Sequence, residues 1–483
     1  METNSKLQQI LDIGIALTAE KDPDKLLNLI IDTAMDMTGS DAGTLYMLKD
    51  EHLMFRIMKT RSKGIDSFKA GTKIDLPPVP LKKENICAYA ALSKESLKID
   101  DVYESNLFDF AGPKKYDELN EYRTQSMVAI PMIDKDEMVI GVMQLINAMD
   151  DEGNVRSFSD EEVRILRALS SQTAISLSNM AYVKEISEQM WSFTEAMTEA
   201  IDARTPYNAN HTRKVAEYSG LIVDHINKLY AEEKEDIFFD KQHKEQVVLA
   251  AFLHDIGKMI VPLEVMNKQT RLDNSLSRID DRLEIIKLNN EIDYLRGEIS
   301  KEAADEMSGR LEETKETIND ANSAGFLTDE LYEKVQKVCE YKYVSPDKSR
   351  IIPFFTEEEK ENLSIRKGTL TADERKIMES HVEMTARILN KVHFNRAYKE
   401  ASTWAAQHHE CINGKGYPKG ISGEALGIEA RILAVADICD ALLATDRPYK
   451  KPLSREKAFA IMDDMAKNGA IDEKIVGYLK ECI

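Results

Sequence analysis

The sequence is poor in the features that mark secreted, membrane-spanning and nucleic-acid-binding proteins. Its five cysteines include no Cys-x-x-Cys pair, so neither a disulfide framework nor a cysteine-based zinc site is expected. No apolar run is long enough to span a bilayer, and the first residues lack the pattern of a secretion signal. Lys and Arg number 64 against 85 Asp and Glu, and the net charge of −21 disfavours nucleic acid polymers and anionic membranes as partners. We therefore expect a cytoplasmic protein that binds no membrane.

The first part of the chain, residues 1–182, alternates helical and strand patterns. The helical segment LLNLIIDTAMDMT ends at Gly39, and the strand-like segments AGTLYMLKD and HLMFRIMKT follow it. The segments SMVAIPMID and MVIGVMQLINA flank an acidic turn and predict a hairpin. A closing helix begins with Ser159 as its N-cap and Glu162 three residues later. These patterns predict an α/β domain with an antiparallel sheet and flanking helices.

Residues 1–182 resemble a GAF sensory domain, on the segments LIIDTAMDMTGSDAGTLYML, VAIPM, VIGVMQLIN and FSDEEVRILRAL. The resemblance implies a small-molecule ligand. GAF domains that bind cyclic nucleotides carry an Asn-Lys pair after the last strand, whereas Asn147 is followed here by Ala148, so a cyclic nucleotide is not expected there. Residues 165–200 predict a continuous helix without Gly or Pro, which is either a signalling linker packed against its copy in a homodimer or a simple spacer.

The remainder, residues 191–483, predicts an all-α domain, because its apolar residues recur at helical spacing. Residues 270–366 differ in character: they are highly charged, carry a narrow apolar stripe and predict a helical hairpin inserted into the domain. The segment is far longer than an ordinary loop. Its pattern leaves open whether it forms a dimer contact, a lid or a surface for another protein.

Three motifs in this domain place metal-ligating side chains beside apolar helices. The sequence HDIGK, with His254, Asp255 and Lys258, ends the apolar run VVLAAFL, and buried charges of this kind need a partner or a metal. The sequence HHE, with His408 and His409, precedes a Gly-rich loop that contains Gly416, Tyr417 and Pro418. The third motif has Asp437 and Asp440 one turn apart in the otherwise apolar segment ILAVADICDALLA.

In this order the three motifs resemble the HD-GYP family of HD phosphohydrolases, which cleave cyclic dinucleotides. The resemblance adds two further histidines as ligands: His211 in ARTPYNANH and His381 in ESHVEMTARIL. The helix that carries His381 is predicted to begin with a capping box of Thr371 and Glu374. The other histidines of this domain match no family motif, and we interpret them as surface or packing residues: His225, His243 and His393.

The resemblance implies a dinuclear centre with Asp255 as the bridging ligand. One ion would be held by His211, His254, Asp255 and Asp437, and the other by Asp255, His381, His408 and His409. Some family members have a Glu that accompanies a third metal where this chain has Tyr207, so two divalent ions are expected. Iron or manganese is favoured, and nickel or zinc also suits imidazole and carboxylate ligands.

The family also implies which side chains contact the substrate. Lys258 would neutralise a phosphate oxygen, Arg447 and Lys450 would contact the second phosphate, and Gly416, Tyr417 and Pro418 would border the nucleotide. The expected substrate is cyclic di-GMP, hydrolysed to pGpG or GMP. The alternatives are another cyclic dinucleotide such as cyclic GMP-AMP, or a receptor that binds nucleotide or a diguanylate cyclase without hydrolysis.

Overall fold

The computed structural model describes residues 14, 19–20, 22–69, 76–204, 210–273, 275–444 and 453–483. The chain divides into two compact units, Met1–Met190 and Trp191–Ile483.

The N-terminal unit is built on a seven-stranded antiparallel sheet. Its main path runs β3-β2-β1-β7-β6-β5, and β4 pairs with β2 outside this path. In chain order the elements are α1 (Pro23–Thr38), β1 (Ala42–Lys49), β2 (His52–Thr60), β3 (Ile65–Asp66), β4 (Val79–Pro80), α2 (Ile86–Ser93), β5 (Leu97–Ile99), α3 (Ala111–Asn120), β6 (Met127–Ile133), β7 (Val139–Ile146), β8 (Ala148–Met149) and β9 (Val155–Arg156). The predicted α/β fold with an antiparallel sheet is confirmed.

Both faces of this sheet are covered by helices. The side chains of β6 point alternately into the two hydrophobic cores, one on each face of the sheet. Val128 and Ile130 pack with α1 and with the helix that follows β9, while Met127 and Ala129 pack with α2 on the opposite face. A strand buried on both faces has no polar alternation. This explains the uninterrupted apolar run in β6.

A single helix, α4 (Asp160–Asp202), covers the predicted linker and extends beyond it at both ends. The predicted capping box is present: Ser159 N–H donates to Glu162, and the Ser159 hydroxyl accepts from Glu162 N–H.

The C-terminal unit is mainly helical, as predicted. Its elements are α5 (His211–Ala231), α6 (Lys241–Leu253), a 3₁₀ turn (Ile256–Ile260), α7 (Leu263–Met266), α8 (Ser275–Leu295), α9 (Lys301–Ser323), α10 (Asp329–Cys339), β10 (Lys342–Val344), β11 (Ile351–Pro353), α11 (Glu357–Leu363), α12 (Ala372–Leu389), α13 (Ala401–Ala405), a second 3₁₀ turn (Gly423–Ala425), α14 (Ile428–Leu443), α15 (Arg455–Lys467) and α16 (Glu473–Cys482). The predicted capping box of Thr371 and Glu374 opens α12.

The segment 270–366 folds around a core of its own, formed by residues of α8, α9, α10 and α11 together with Phe354 and Phe355. The expectation of a purely helical domain is corrected here. The strands β10 and β11 form an antiparallel hairpin around a turn in which Lys348 has φ 58°. Short β-branched segments on either side of such a turn favour strands over helix.

Candidate metal centre

The carboxylate of Asp255 lies between two groups of imidazole rings. Its Oδ2 atom is 3.4 Å from His211 Nε2 and 3.2 Å from His254 Nε2. Its Oδ1 atom is 3.5 Å from His381 Nε2 and 3.9 Å from His408 Nε2. Asp255 is buried and lies two residues after the end of α6. The two oxygen atoms of its carboxylate therefore face two different sets of imidazole nitrogen atoms.

Three of these histidines are held in the same way by their own backbone. The Nδ1 atoms of His254, His381 and His408 lie 2.6, 2.6 and 2.7 Å from the carbonyl oxygens three residues earlier. A carbonyl oxygen only accepts, so each Nδ1 carries the proton and each Nε2 keeps its lone pair. Neutral imidazoles in this tautomer are the form that binds a metal.

The lone pairs that face the centre have no hydrogen-bond donor within the part of the chain that the structure describes. Among the described residues, four buried atoms lack a hydrogen-bond partner at this point: His254 Nε2, Asp255 Oδ1, His381 Nε2 and His408 Nε2. Buried acceptors without a donor are costly to the fold. A cation at the centre would satisfy these atoms, so the side chains present fit the divalent metals that the sequence predicts.

His211, the first residue of α5, is oriented by carboxylates instead of by its backbone. Its Nδ1 atom lies 2.7 Å from Asp440 Oδ2, and its Nε2 atom lies 3.2 Å from Asp437 Oδ1. Both acids are buried and project from successive turns of α14. A carboxylate on the outer nitrogen of a ligating histidine fixes the ring and raises its basicity. Asp440 therefore has an orienting role that no sequence pattern assigns to it.

His408 and His409 do not lie on a regular helix, because α13 ends at Ala405 and a turn carries both. His409 Nδ1 is 3.9 Å from Asp437 Oδ2, and the His409 ring packs 4.9 Å from the ring of Tyr417. Two consecutive residues on a helix would point about 100° apart. The turn instead directs both adjacent imidazoles toward the same centre.

The ligand atoms form two clusters of the size that holds an ion. One contains His211, His254 and Asp255, and the other contains His381, His408 and His409; within each cluster the ligand atoms lie within 4.8 Å of one another. Asp437 borders the first cluster through His211 and the second through His409. The five histidines divide between the two clusters as they do between the two predicted ions, and the assignment to bound metal stays a prediction.

The protonation states follow from burial and from the neighbouring charges. Burial lowers the pKa of His381, the pKa of His408 to well below its usual value, and the pKa of His409 to about 4. Burial alone would raise the pKa of Asp255, but the charge of Lys258 and the hydrogen bond from His211 outweigh it and hold that pKa well below the ordinary range. The rings of His381, His408 and His409 are thus neutral at neutral pH, and the carboxylate of Asp255 is charged. Neutral imidazoles and a charged carboxylate are the forms that bind cations.

Lys258 lies in the 3₁₀ turn beside the central carboxylate. Its Nζ atom is 2.5 Å from Asp255 Oδ2, so the ammonium group is close to the candidate ions. The turn itself packs against α12: Gly257 N–H donates to the hydroxyl of Thr385, and that hydroxyl donates to the carbonyl of His254. Thr385 is thus a second contact at the site that the sequence does not single out.

Gly257 is needed for this packing. A Cβ atom at this position would lie 1.9 Å from the carbonyl oxygen of His381 and 2.6 Å from the backbone nitrogen of Thr385. Only glycine allows the turn and the helix to approach so closely. The glycine of HDIGK therefore determines how closely the 3₁₀ turn approaches the helix that carries His381.

The loop after HHE is fixed by a buried acid. Glu410 Oε1 accepts from Lys419 N–H at 2.8 Å, and Oε2 accepts from Ile421 N–H at 2.9 Å. A Cβ at Gly416 would lie 2.3 Å from the backbone nitrogen of Cys411, so the loop folds tightly onto its own start. Tyr417, followed by a cis peptide bond to Pro418, is thereby held beside His409.

The remaining residues that the sequence singled out are three positions outside the described ranges and three histidines with other contacts or none at the centre. Tyr207, Arg447 and Lys450 lie outside the described residues, so the predicted second phosphate contact and the two-metal argument stay predictions. His225 lies 3.2 Å from Glu481, His243 lies 2.9 Å from Glu429, and His393 is exposed.

Comparison with known proteins supports the two-domain organisation. Sequence models of protein families match the GAF domain over residues 22–177 and the HD domain over residues 208–343 and again over 358–475. The predicted combination of a GAF domain with an HD domain is therefore confirmed. Among the described residues, no helix has both the length and the apolar character required to cross a bilayer.

Characterised relatives match over short segments. The chain is 39% identical over 102 residues to the cyclic di-GMP phosphodiesterase response regulator RpfG of Xanthomonas campestris, covering 21% of this chain and 26% of the relative. It is 35% identical over 116 residues to the 3'3'-cGAMP-specific phosphodiesterase 3 of Vibrio cholerae, covering 24% of each. The matches thus span about a quarter of these relatives' lengths. Among solved structures, the GAF domain from Acinetobacter phosphoenolpyruvate-protein phosphotransferase matches with 15% identity and a TM-score of 0.30, over 37% of this chain and 96% of that one.

Proposed function

We propose that the chain is a metal-dependent phosphodiesterase that hydrolyses a cyclic dinucleotide at a dinuclear centre. The observation that carries this proposal is the placement of Asp255 between two imidazole clusters, with four buried acceptor atoms that lack a donor among the described residues. Two divalent ions held by these side chains would supply Lewis acidity for activating water and neutralising charge on the phosphate.

The protein side chains hold and orient the reacting groups. The carboxylate of Asp255 would help to hold both ions, and Asp440 orients the ring of His211 through the hydrogen bond at Nδ1. Lys258, whose ammonium group lies at Asp255, supplies positive charge to a phosphate oxygen. Tyr417, fixed beside His409 by the loop that Glu410 anchors, forms the border of the nucleotide site.

Cyclic di-GMP is the favoured substrate, and 3'3'-cGAMP is the second candidate. Both are supported by relatives of the chain: one is named a cyclic di-GMP phosphodiesterase response regulator and the other a 3'3'-cGAMP-specific phosphodiesterase. We further propose that the GAF domain binds a small molecule that regulates hydrolysis. A contact at the C-terminal end of α4 supports such regulation. Asp202 accepts a hydrogen bond from the hydroxyl of Thr212, the residue next to His211.

The test is hydrolysis by the full chain, purified without air and loaded with iron or manganese. Cyclic di-GMP and 3'3'-cGAMP are supplied separately, and linear dinucleotides and mononucleotides are separated by chromatography. We expect linear product from at least one substrate and none from the Asp255→Asn variant. Metal-loaded protein that binds either nucleotide without cleaving it would instead establish the receptor alternative.

A further inference from the structure

One face of α8 carries a row of exposed apolar side chains. Ile285, Leu288, Ile292 and Leu295 are between 42 and 74% exposed. A different face of the same helix, with Ile279, Leu283 and Ile286, is buried in the core of the inserted segment. The helix therefore has more apolar surface than its own segment covers, and contiguous exposed apolar rows mark interaction sites.

The spacing of this row is that of a coiled coil. The four residues follow one another at intervals of three, four and three positions, which makes them successive a and d positions of a heptad repeat. The two a positions, 285 and 292, are isoleucine, and the two d positions, 288 and 295, are leucine. Among parallel coiled coils, isoleucine at a with leucine at d favours two strands over three or four.

The charges beside the row also distinguish between orientations. Glu284 and Glu291 occupy g positions, and Asn289 and Arg296 occupy e positions. In a parallel in-register pair each g residue faces the e residue five positions later on the other helix. Glu291 then faces Arg296 of the second copy, whereas an antiparallel pair would bring glutamates together. Within the described ranges neither Glu291 nor Arg296 forms an ion pair in its own chain.

We propose that the α8 face is a self-association surface, on which the same helix of a second copy packs in parallel and in register. Each apolar side chain of the row is then buried against its equivalent, and two Glu291–Arg296 pairs flank the contact. The proposal does not depend on the catalytic activity, since no candidate metal ligand lies on α8.

Sedimentation equilibrium of the full chain over a range of concentrations measures the strength of association. We expect Leu288→Glu combined with Ile292→Glu to raise the dimer dissociation constant at least tenfold. Lys287→Glu adds negative charge to the same helix beside the row and serves as the matched control, with little effect expected. Circular dichroism checks that both variants are folded.

Charge exchange tests the register. We expect Glu291→Arg to weaken association by placing it opposite Arg296 of the second copy, and Glu291→Arg combined with Arg296→Glu to restore it. A restored value supports the parallel pairing. Association that is equal in all these variants would overturn the proposal, because another surface would then hold the copies together.

Crosslinking fixes the orientation independently. In a background where the partly exposed Cys411 and Cys482 are serine, Leu288→Cys should form a disulfide-linked dimer under mild oxidation, and Lys287→Cys should not. Crosslinks that form only when Leu288→Cys is mixed with Ile292→Cys would show antiparallel packing and contradict the proposal. Absence of any crosslink would do so as well.

Discussion

The Nδ1 atom of His211 donates a hydrogen bond to Asp440 Oδ2, which lies 2.7 Å away. The two residues are 229 positions apart in the sequence. The helix that supplies Asp440 also supplies Asp437, one turn earlier, to the other nitrogen of the same ring. One short helical segment therefore both orients His211 and adds a carboxylate to the centre. The two acids thus face different nitrogen atoms of one ring despite their similar sequence surroundings.

Replacing Asp440 by alanine should weaken metal binding at the His211 cluster by about 10–100-fold, the usual effect of losing a carboxylate that orients a ligating histidine. Asp440→Asn keeps an acceptor and should lose less. Metal titration of the full chain measures both effects. Glu429→Ala is the matched control, because Glu429 contacts His243 away from the centre, and unchanged binding is expected there. Equal losses for Asp440→Ala and Glu429→Ala would refute the orienting role.

Gly257→Ala should disturb the centre although glycine carries no ligand. The added Cβ would meet the His381 carbonyl at 1.9 Å, so the 3₁₀ turn and α12 must separate. We expect the variant to lose most of its bound metal and to melt at a lower temperature. Gly309 lies in the exposed middle of α9, and a Cβ atom added there would meet no atom within 4 Å outside the neighbouring helix backbone. Gly309→Ala should therefore stabilise its helix by about 0.5–1 kcal/mol. Full metal content in Gly257→Ala would contradict the close-packing argument.

Arg204 connects the residues after α4 to the turn that follows Asp255. Its guanidinium donates to the carbonyls of Lys258 at 2.9 Å and Val261 at 3.2 Å, and also to that of Met259. Arg204→Ala should lower kcat by about tenfold or more, because small displacements of a catalytic group are costly. Bound metal should change less than kcat.

Arg213→Ala is the control for this change. Arg213 forms an exposed ion pair with Glu199 nearby, and exposed pairs contribute little. We expect wild-type kcat in this variant. A kcat for Arg204→Ala equal to that of Arg213→Ala would show that the contact to the turn does not position Lys258.

Removal of residues 269–366, with Lys268 joined to Lys367 by a short Gly/Ser linker, should preserve metal binding and measurable hydrolysis. Lys268 Nζ contacts both Asn362, which is lost, and the carboxylate of Glu374, which remains at the start of α12. The helix that carries His381 thus keeps its charged anchor. We expect the deletion to weaken self-association, measured by sedimentation. Loss of metal from a deletion variant that circular dichroism shows to be folded would mean that the segment shapes the centre directly.

The sequence predicted the candidate site best where several of its residues stand next to one another in a short motif. HDIGK, HHE with its Gly-rich loop, and the Asp437 helix identified most of the side chains that meet at Asp255. His211 and His381 needed the family resemblance, because a single histidine on an amphipathic helix has no distinctive pattern of its own.

What the sequence did not reveal depends on contacts between distant segments. Asp440 lies 229 positions from His211, and Thr385 lies 128 positions from Gly257, so neither pairing is visible in a local pattern. The β-hairpin within the inserted segment was also missed. There tertiary packing and turn geometry override the helical apolar spacing that was the only signal.

If the carboxylate of Asp255 holds two divalent ions together, the metal content of the Asp255→Asn variant must differ from that of the wild-type chain. The full chain, its Asp255→Asn variant and the control His225→Ala are purified without air, loaded with iron or manganese, and analysed for metal per folded chain. We predict two ions in the wild-type chain and in His225→Ala, the number that a bridged centre holds, and the loss of both in Asp255→Asn. Two ions retained in Asp255→Asn would contradict the account.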